Sequence, residues 1–470
     1  MKKYEEKDGE KNLIKTMVLD PIKRDIELVY FIRLLSSLGT DNKIIAVNGR
    51  WGSGKTFFLK QFQLLCNYYA DKVVNKVEIT EYIKTYKEDI KRNRFSYFNL
   101  LQKECEQFVK EDCCEVLYFN AWEYDSNDDP IKSLMYFLIE SYNLDYKKIK
   151  IDWKELGKKT IKFLTGLEYG ENCLEKVNFF EDIIGNNDIK KIWTTLLYEI
   201  INENCNRLYI IIDDLDRCRP EHTVKMFERL QHFANDYRVV FILAIDYEEV
   251  LNMIEHFYGY RNSGSRFLEK VIDQFIDLEN RQYDDYSEYL GDFVVHPIAK
   301  DRYPVISNIV NRTTKYVFED FHMTLREMAR YSEIMEYISS FYGGYAEKRA
   351  GGGGNTILKG IVMPYALGLN VTSKTEYYKF IRGEGREKFI NFIERHEELF
   401  ENIYIKRQNL EKVFEEIYQF IVCVMNRDKD FIESKDIENI RLYEDTVSNI
   451  FQCINRLYDF EITYEEEEDI

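Results

Sequence analysis

Residues Val47 to Thr56 read Val-Asn-Gly-Arg-Trp-Gly-Ser-Gly-Lys-Thr, and few decapeptides leave a chain less freedom. Gly49, Gly52, Gly54, Lys55 and Thr56 fit the pattern G-x-x-x-x-G-K-[ST] of a phosphate-binding loop. Glycines let the backbone turn tightly enough for successive N–H groups to point at one anion, and a following helix adds the positive end of its dipole. The pattern needs a strand before it and a helix after it. Ile44-Ile45-Ala46-Val47 reads as the buried strand, and Phe57-Phe58-Leu59-Lys60-Gln61-Phe62 as the start of the helix. Lys55 is then placed to reach the β- and γ-phosphates of a nucleotide, and the Thr56 hydroxyl to ligate Mg²⁺. The expected nucleotide contacts are Gly49, Trp51, Gly52, Ser53, Gly54, Lys55, Thr56 and Phe57.

A second stretch supplies the acids that a phosphate loop requires. Arg207-Leu208-Tyr209-Ile210-Ile211-Ile212-Asp213-Asp214 is an apolar run ending in two carboxylates, as expected of a strand buried on both faces of a parallel sheet. Ligands of open α/β sheets bind at the carboxyl ends of such strands. Asp213 is placed to hold Mg²⁺ through water, and Asp214 to act as general base on an attacking water. A third strand, Val239-Val240-Phe241-Ile242-Leu243-Ala244-Ile245, ends in Asp246. That carboxylate either senses the γ-phosphate, caps the helix that opens at Tyr247-Glu248-Glu249-Val250, or does both. The strand Glu115 to Asp125 ends in an aromatic and polar cluster with two readings. Trp122 plugs the edge of the core, or Asn120 or Glu123 approaches the γ-phosphate.

At 470 residues the chain is too long for one ordinary core. Hydrophobic residues make up 45% and charged residues 31%, which excludes global disorder. The net charge of −18 argues against broad electrostatic binding of nucleic acid, while leaving room for a local basic groove. The nine cysteines include no C-x-x-C, so buried reduced thiols are expected rather than a zinc site. The start Met1-Lys2-Lys3-Tyr4 has no apolar leader, which points to the cytoplasm. No stretch approaches the roughly 18 uninterrupted apolar residues of a membrane span, so no membrane role is expected.

Taken together, these motifs resemble the KAP family of P-loop NTPases. The resemblance is carried in order by Gly49–Thr56, by Phe119-Asn120-Ala121-Trp122-Glu123-Tyr124-Asp125, by Ile210 to Pro220, by Val239 to Asp246, and by Arg266 to Leu278. It spans about residues 20–340. It implies an α/β fold, a parallel sheet with an added strand, of the signal-transducing additional-strand ATPase class. It also implies ATP and Mg²⁺ as ligands and antiphage defence as the role of bacterial relatives. Many KAP proteins carry membrane helices between the first two motifs, and this sequence has none there. Thr324-Leu325-Arg326-Glu327-Met328-Ala329-Arg330-Tyr331 falls in a helical lid by the same resemblance, with Arg326 or Arg330 sensing the nucleotide. Arg217, Arg219, Arg261 and Arg266 are further arginine candidates, any of which could act from a neighbouring subunit.

The expected organisation is a nucleotide core over residues 1–285 with helical insertions at about 73–110, read as solvated, and at 146–187, rich in lysine and aromatic residues. A lid over 286–345 and a helical module over 346–470 follow. Gly351-Gly352-Gly353-Gly354, preceded by Lys348 and Arg349, marks a connector. Apolar stripes such as Leu410, Val413, Phe414, Ile417, Tyr418 and Ile421 read as helix-bundle core. Expected partners are ATP, further copies of the chain, and a protein effector.

Overall fold

The computed structural model describes residues 9–19, 24–38, 43–73, 76–90, 97–112, 114–127, 129–142, 144, 189–204, 207–233, 236, 238–259, 264–278, 304–345, 356–400, 410–426, 434–437 and 440–456. The chain divides into two units, residues 1–279 and 280–470.

The first unit is built on five strands, β1 (Ile44–Asn48), β2 (Cys114–Asn120), β3 (Arg207–Asp213), β4 (Val239–Ile245) and β5 (Gln274–Asp277). All pair in parallel, in the order β2-β3-β4-β1-β5. Thus β4 is the added strand, lying between the loop strand β1 and the aspartate strand β3. The central strands β3 and β4 are buried along their whole length and β1 over its first four residues, because both faces are covered there, whereas β5 at the sheet edge is half-buried to exposed. Alternate residues sort cleanly. Ala46, Phe119, Ile210, Ile212, Phe241 and Leu243 face one way, while Val47, Val116, Tyr209, Ile211, Val240 and Ile242 face the other.

The first face is covered by α6 (Pro130–Ser141), α7 (Ile189–Asn204), α8 (Pro220–Phe233), α9 (Tyr247–Tyr258) and α10 (Gly264–Val271). Pro130 and Pro220 each open a helix, where the missing N–H is no loss. The second face is covered by α1 (Glu10–Leu19), α2 (Arg24–Ser37), α3 (Lys55–Tyr69), α4 (Lys76–Ile90) and α5 (Phe98–Asp112). The charged stretch around residues 73–110 is helical as expected, but it is no mere solvated insertion. Phe98, Leu101, Cys105, Phe108 and Val109 of α5 enter the core, where the Phe108 ring meets Tyr209 at 5.3 Å. The segment 146–187 lies outside the described residues.

The second unit contains α11 (Pro304–Asp320), α12 (Leu325–Tyr345), α13 (Met363–Thr372), α14 (Lys374–Arg382), α15 (Arg386–Arg395), α16 (Leu410–Asn426) and α17 (Glu444–Arg456). A π-helical turn, Leu358–Val362, leads into α13. The expected helix stripes are present, accompanied by one antiparallel hairpin of β6 (Ser434–Ile437) and β7 (Ile440–Tyr443). Residues on both sides of the glycine-rich stretch, Tyr331 on α12 and Tyr365, Phe389 and Phe414 beyond it, belong to one apolar cluster. Gly383, at φ +95°, makes the reversal between α14 and α15 in a conformation that side chains disfavour. The four glycines, Lys348, Arg349 and the acidic run Glu465–Asp469 lie outside the described residues.

Among the described residues, no helix is long and apolar enough to cross a membrane.

Candidate nucleotide site

The loop between β1 and α3 is suspended from the sheet at its start. The Gly49 N–H donates to the Ile245 carbonyl of β4 at 3.1 Å, and Ser53 N–H donates back to Arg50 at 3.0 Å. Gly52 and Gly54 have φ of 85° and 92°, the left-handed region in which a side chain is strained. A Cβ on Gly49 would lie 2.5 Å from the Ser53 hydroxyl oxygen, so the turn closes only around glycine there. Lys55 opens α3 with its side chain folded back. Its Nζ donates to the Gly49 carbonyl at 2.6 Å and to that of Arg50 at 3.4 Å.

Four carboxylates gather around this ammonium from the ends of two strands. Burial pulls Lys55 below the ordinary lysine range, opposed in order by the charges of Asp216, Asp246, Asp213 and Asp214. Its shortest ion pair is with Asp216, Nζ to Oδ2 at 3.9 Å, both side chains being under a tenth exposed. Burial pushes Asp216 above the usual aspartate range despite Lys55, and the other three carboxylates add to the rise.

Each acid is held differently. Asp213 ends β3, 2% exposed, and accepts from the Tyr118 hydroxyl at 2.7 Å and from the Asp214 N–H at 2.7 Å. Tyr118 belongs to β2, where Asn120 stands level with Asp213. Asp214 has φ 59°, uncommon outside glycine, and turns the chain into a short 3₁₀ segment, Leu215–Arg217. Its Oδ1 lies 3.3 Å from Nε of Arg217, whose guanidinium sits 5.9 Å from the Trp51 ring centroid. Asp246 precedes α9 at the N-cap position but makes no side-chain cap. Its carboxylate instead accepts the Trp51 N–H at 2.9 Å, so this acid is bonded to the loop rather than to the helix it precedes. Asn48 joins neighbouring strand ends, donating to Asp277 at 2.7 Å and accepting from Tyr247 N–H at 2.9 Å.

The profile of the KAP family P-loop domain matches residues 28–342. The chain belongs to the KAP family. A comparison with curated proteins gives no match.

Within this KAP domain, Lys55, Asp213, Asp214 and Asp246 come together, while the other expected residues divide. Trp51 is 55% exposed and its ring stands out from the loop, whereas Ser53 is buried. Thr56 and Phe57 lie half-buried on the first turn of α3. Arg326 is exposed on α12, in the second unit. Arg219 is tied to Asp125 through its backbone N–H at 2.7 Å and its Nε at 3.2 Å. Arg266 is exposed on α10, and Arg261 lies outside the described residues. Trp122 is 56% exposed and therefore plugs nothing, and the Asn120 amide donates to Glu123 at 3.0 Å.

Sequence reasoning missed Asp216 and Tyr118. Asp216 was visible as the third acid of Asp-Asp-Leu-Asp, but only the 3₁₀ turn brings it back to the loop. Tyr118 had no signal beyond lying two residues before the polar end of β2.

Among the described residues, no group of three or more His, Cys, Asp or Glu side chains is arranged to bind a metal. The donor set nonetheless fits Mg²⁺ of the phosphate-loop kind, which takes one or two protein oxygens and completes its shell with phosphate and water. Thr56 would supply a hydroxyl and Asp213, through water, a buried carboxylate for that purpose.

Proposed function

We propose that this KAP protein binds ATP with Mg²⁺ and hydrolyses it, using turnover to regulate assembly with copies of itself or with an effector in bacterial antiphage defence. The observation that supports the reading is one buried lysine, folded against a left-handed glycine loop and surrounded by four acids from two strand ends. Buried charge in such number is unfavourable unless it does chemistry or is exchanged for a charged ligand. On phosphate binding, the Lys55 ammonium would leave the Gly49 carbonyl for the β- and γ-oxygens and neutralise their charge. Asp214 would take the proton of the attacking water, and Asp246 would report the state of the loop through Trp51. Mg²⁺, held by Thr56 and through water by Asp213, would offset charge on the transferred phosphoryl group.

A second reading has its own support. Asp214 is engaged by Arg217, and Lys55 by the loop's own carbonyls. Such internal pairing suits a switch that holds ATP and turns over slowly until a partner triggers it.

ATP binding and steady-state hydrolysis by wild type, Lys55→Ala and Asp214→Asn test both readings. Lys55→Ala should lose binding, whereas Asp214→Asn should bind and not turn over. Equal ATP affinity in wild type and Lys55→Ala would remove the site assignment. Hydrolysis per molecule that rises with protein concentration supports assembly, while wild type that holds ATP and matches the inert Asp214→Asn supports the switch.

A further inference from the structure

The phosphate loop is also gripped from behind. Arg24, on the first turn of α2, is 8% exposed, and its Nη2 donates to the carbonyl of Ser53 at 3.1 Å. Its Nη1 forms an ion pair with Glu27 Oε2 at 2.6 Å, one turn along the same helix. Both residues precede residue 28, where the family match begins.

We propose that Arg24 is a positioning residue of the phosphate loop, fixing the Ser53–Gly54 peptide so that its N–H faces the bound phosphate, with Glu27 aiming the guanidinium. This inference rests on the nucleotide-binding reading above.

A trans peptide is planar, with its C=O and N–H pointing in opposite directions. Holding the Ser53 oxygen toward Arg24 therefore turns the Gly54 N–H the other way. That peptide sits between Gly52 and Gly54, both at positive φ, where glycine gives the backbone more freedom than any other residue. A loop of this composition needs an outside restraint to keep one peptide orientation, and a charged donor to a carbonyl is among the stronger ones available.

The restraint is itself anchored. Phe31 of α2 packs on Phe58 and Phe62 of α3, with ring centroids at 5.5 and 5.1 Å. Leu28, Ile32 and Leu35 of α2 are fully buried in the same cluster. Arg24 thus reaches the loop from a helix already locked to the helix that the loop opens.

The experiment measures ADP and ATP affinity of the full chain, wild type against Arg24→Met, Arg24→Lys and Glu27→Gln, with Trp51 emission, isolated from that of the other three tryptophans by difference against Trp51→Phe in each background, followed as a reporter of the loop. Arg24→Met should weaken both nucleotides about tenfold or more, as expected for loss of a charge-assisted hydrogen bond. Arg24→Lys, which keeps one charged donor, should recover most of that loss, and Glu27→Gln should weaken binding about threefold. Emission from Trp51 should respond less to saturating ADP in Arg24→Met than in wild type. Wild-type affinity and emission response in Arg24→Met would overturn the proposal. Should circular dichroism show Arg24→Met unfolded, Glu27→Gln decides, because it leaves the buried site filled; unchanged affinity there overturns the proposal too. Failure of the wild type to bind ATP would instead sink the nucleotide-binding reading on which the inference depends.

Discussion

The two units bury polar groups of different kinds. In the first, buried charged residues are numerous, and Arg24, Lys55, Asp213 and Asp246 all lie in or against one loop. In the second, the buried polar side chains among the described residues are neutral: Thr313, Thr314, Thr324, Ser332 and Asn370. Two of these hydroxyls simply return to their own helix, Thr313 to the Ile309 carbonyl and Ser332 to that of Met328. Neutral hydroxyls bonded one turn back are architecture and can be removed at small expense. Buried charge carries a large desolvation penalty, and its concentration at one place marks chemistry. The comparison places the buried charge in the sheet unit, and it can be broken by mutation on either side.

The largest effect on stability is expected in the helical unit. Phe389 is fully buried, with ring centroids at 5.0 Å from Tyr365, 5.5 Å from Phe380 and 6.1 Å from Phe414. Phe389→Ala should destabilise that unit by about 3–5 kcal/mol, read by denaturant titration, while ATP affinity at low temperature stays within about twofold. Lost affinity would mean that the helical unit takes part in binding. On the other side, Lys55→Ala should weaken ATP by at least about 100-fold, equivalent to two charge-assisted contacts of roughly 1.5 kcal/mol each. It should leave the unfolding of the helical unit unchanged.

How much of this could be read beforehand follows the range of the interactions involved. The strand ending at Asp213 and the turn from Val47 into α3 were legible, because each is written in contiguous residues. The added-strand order was legible through resemblance of the ordered motifs. The burial of α5 was not. Its Lys and Glu residues dominate the local pattern, and only packing against Tyr209 reveals which face is apolar. Nor was the partner of Lys55, since Asp216 lies 161 positions away and reaches the loop through the left-handed turn at Asp214. Arg24 was invisible for the same reason, its target being a backbone carbonyl that no pattern of side chains encodes.

Smaller effects sharpen the comparison. Tyr118→Phe removes the hydroxyl that donates to Asp213, and should slow turnover about tenfold, the lower end for loss of one hydrogen bond to a charged group, with ATP affinity nearly unchanged. Its counterpart in the helical unit is the start of α12. There Thr324 and Glu327 bond reciprocally: Glu327 Oε2 accepts from the Thr324 N–H at 2.8 Å, and Thr324 Oγ1 accepts from the Glu327 N–H at 3.4 Å. Thr324→Ala should cost about 1 kcal/mol of stability and leave turnover alone. A fall in turnover would join α12 to the catalytic cycle.

The last and smallest effect concerns the sign of a titration. Asp216 is raised above the ordinary aspartate value of 3.8, first by burial and then by its acidic neighbours, with Lys55 opposing. A folded-state pKa above the unfolded one means that the folded chain holds this proton more tightly. Its contribution to stability is therefore fully present below 3.8 and is lost as pH rises through the folded value. Asp216→Asn abolishes that loss, so its stability relative to wild type should grow with pH across the acidic range and then level off. Urea titrations at a series of pH values read this directly. Were Lys55 the stronger influence, the carboxylate would be depressed and the difference would run the opposite way, with the variant losing ground as pH rises. The sign thus decides whether Asp216 stabilises the folded chain through Lys55, or is a buried charge tolerated for what the site does when it takes up phosphate.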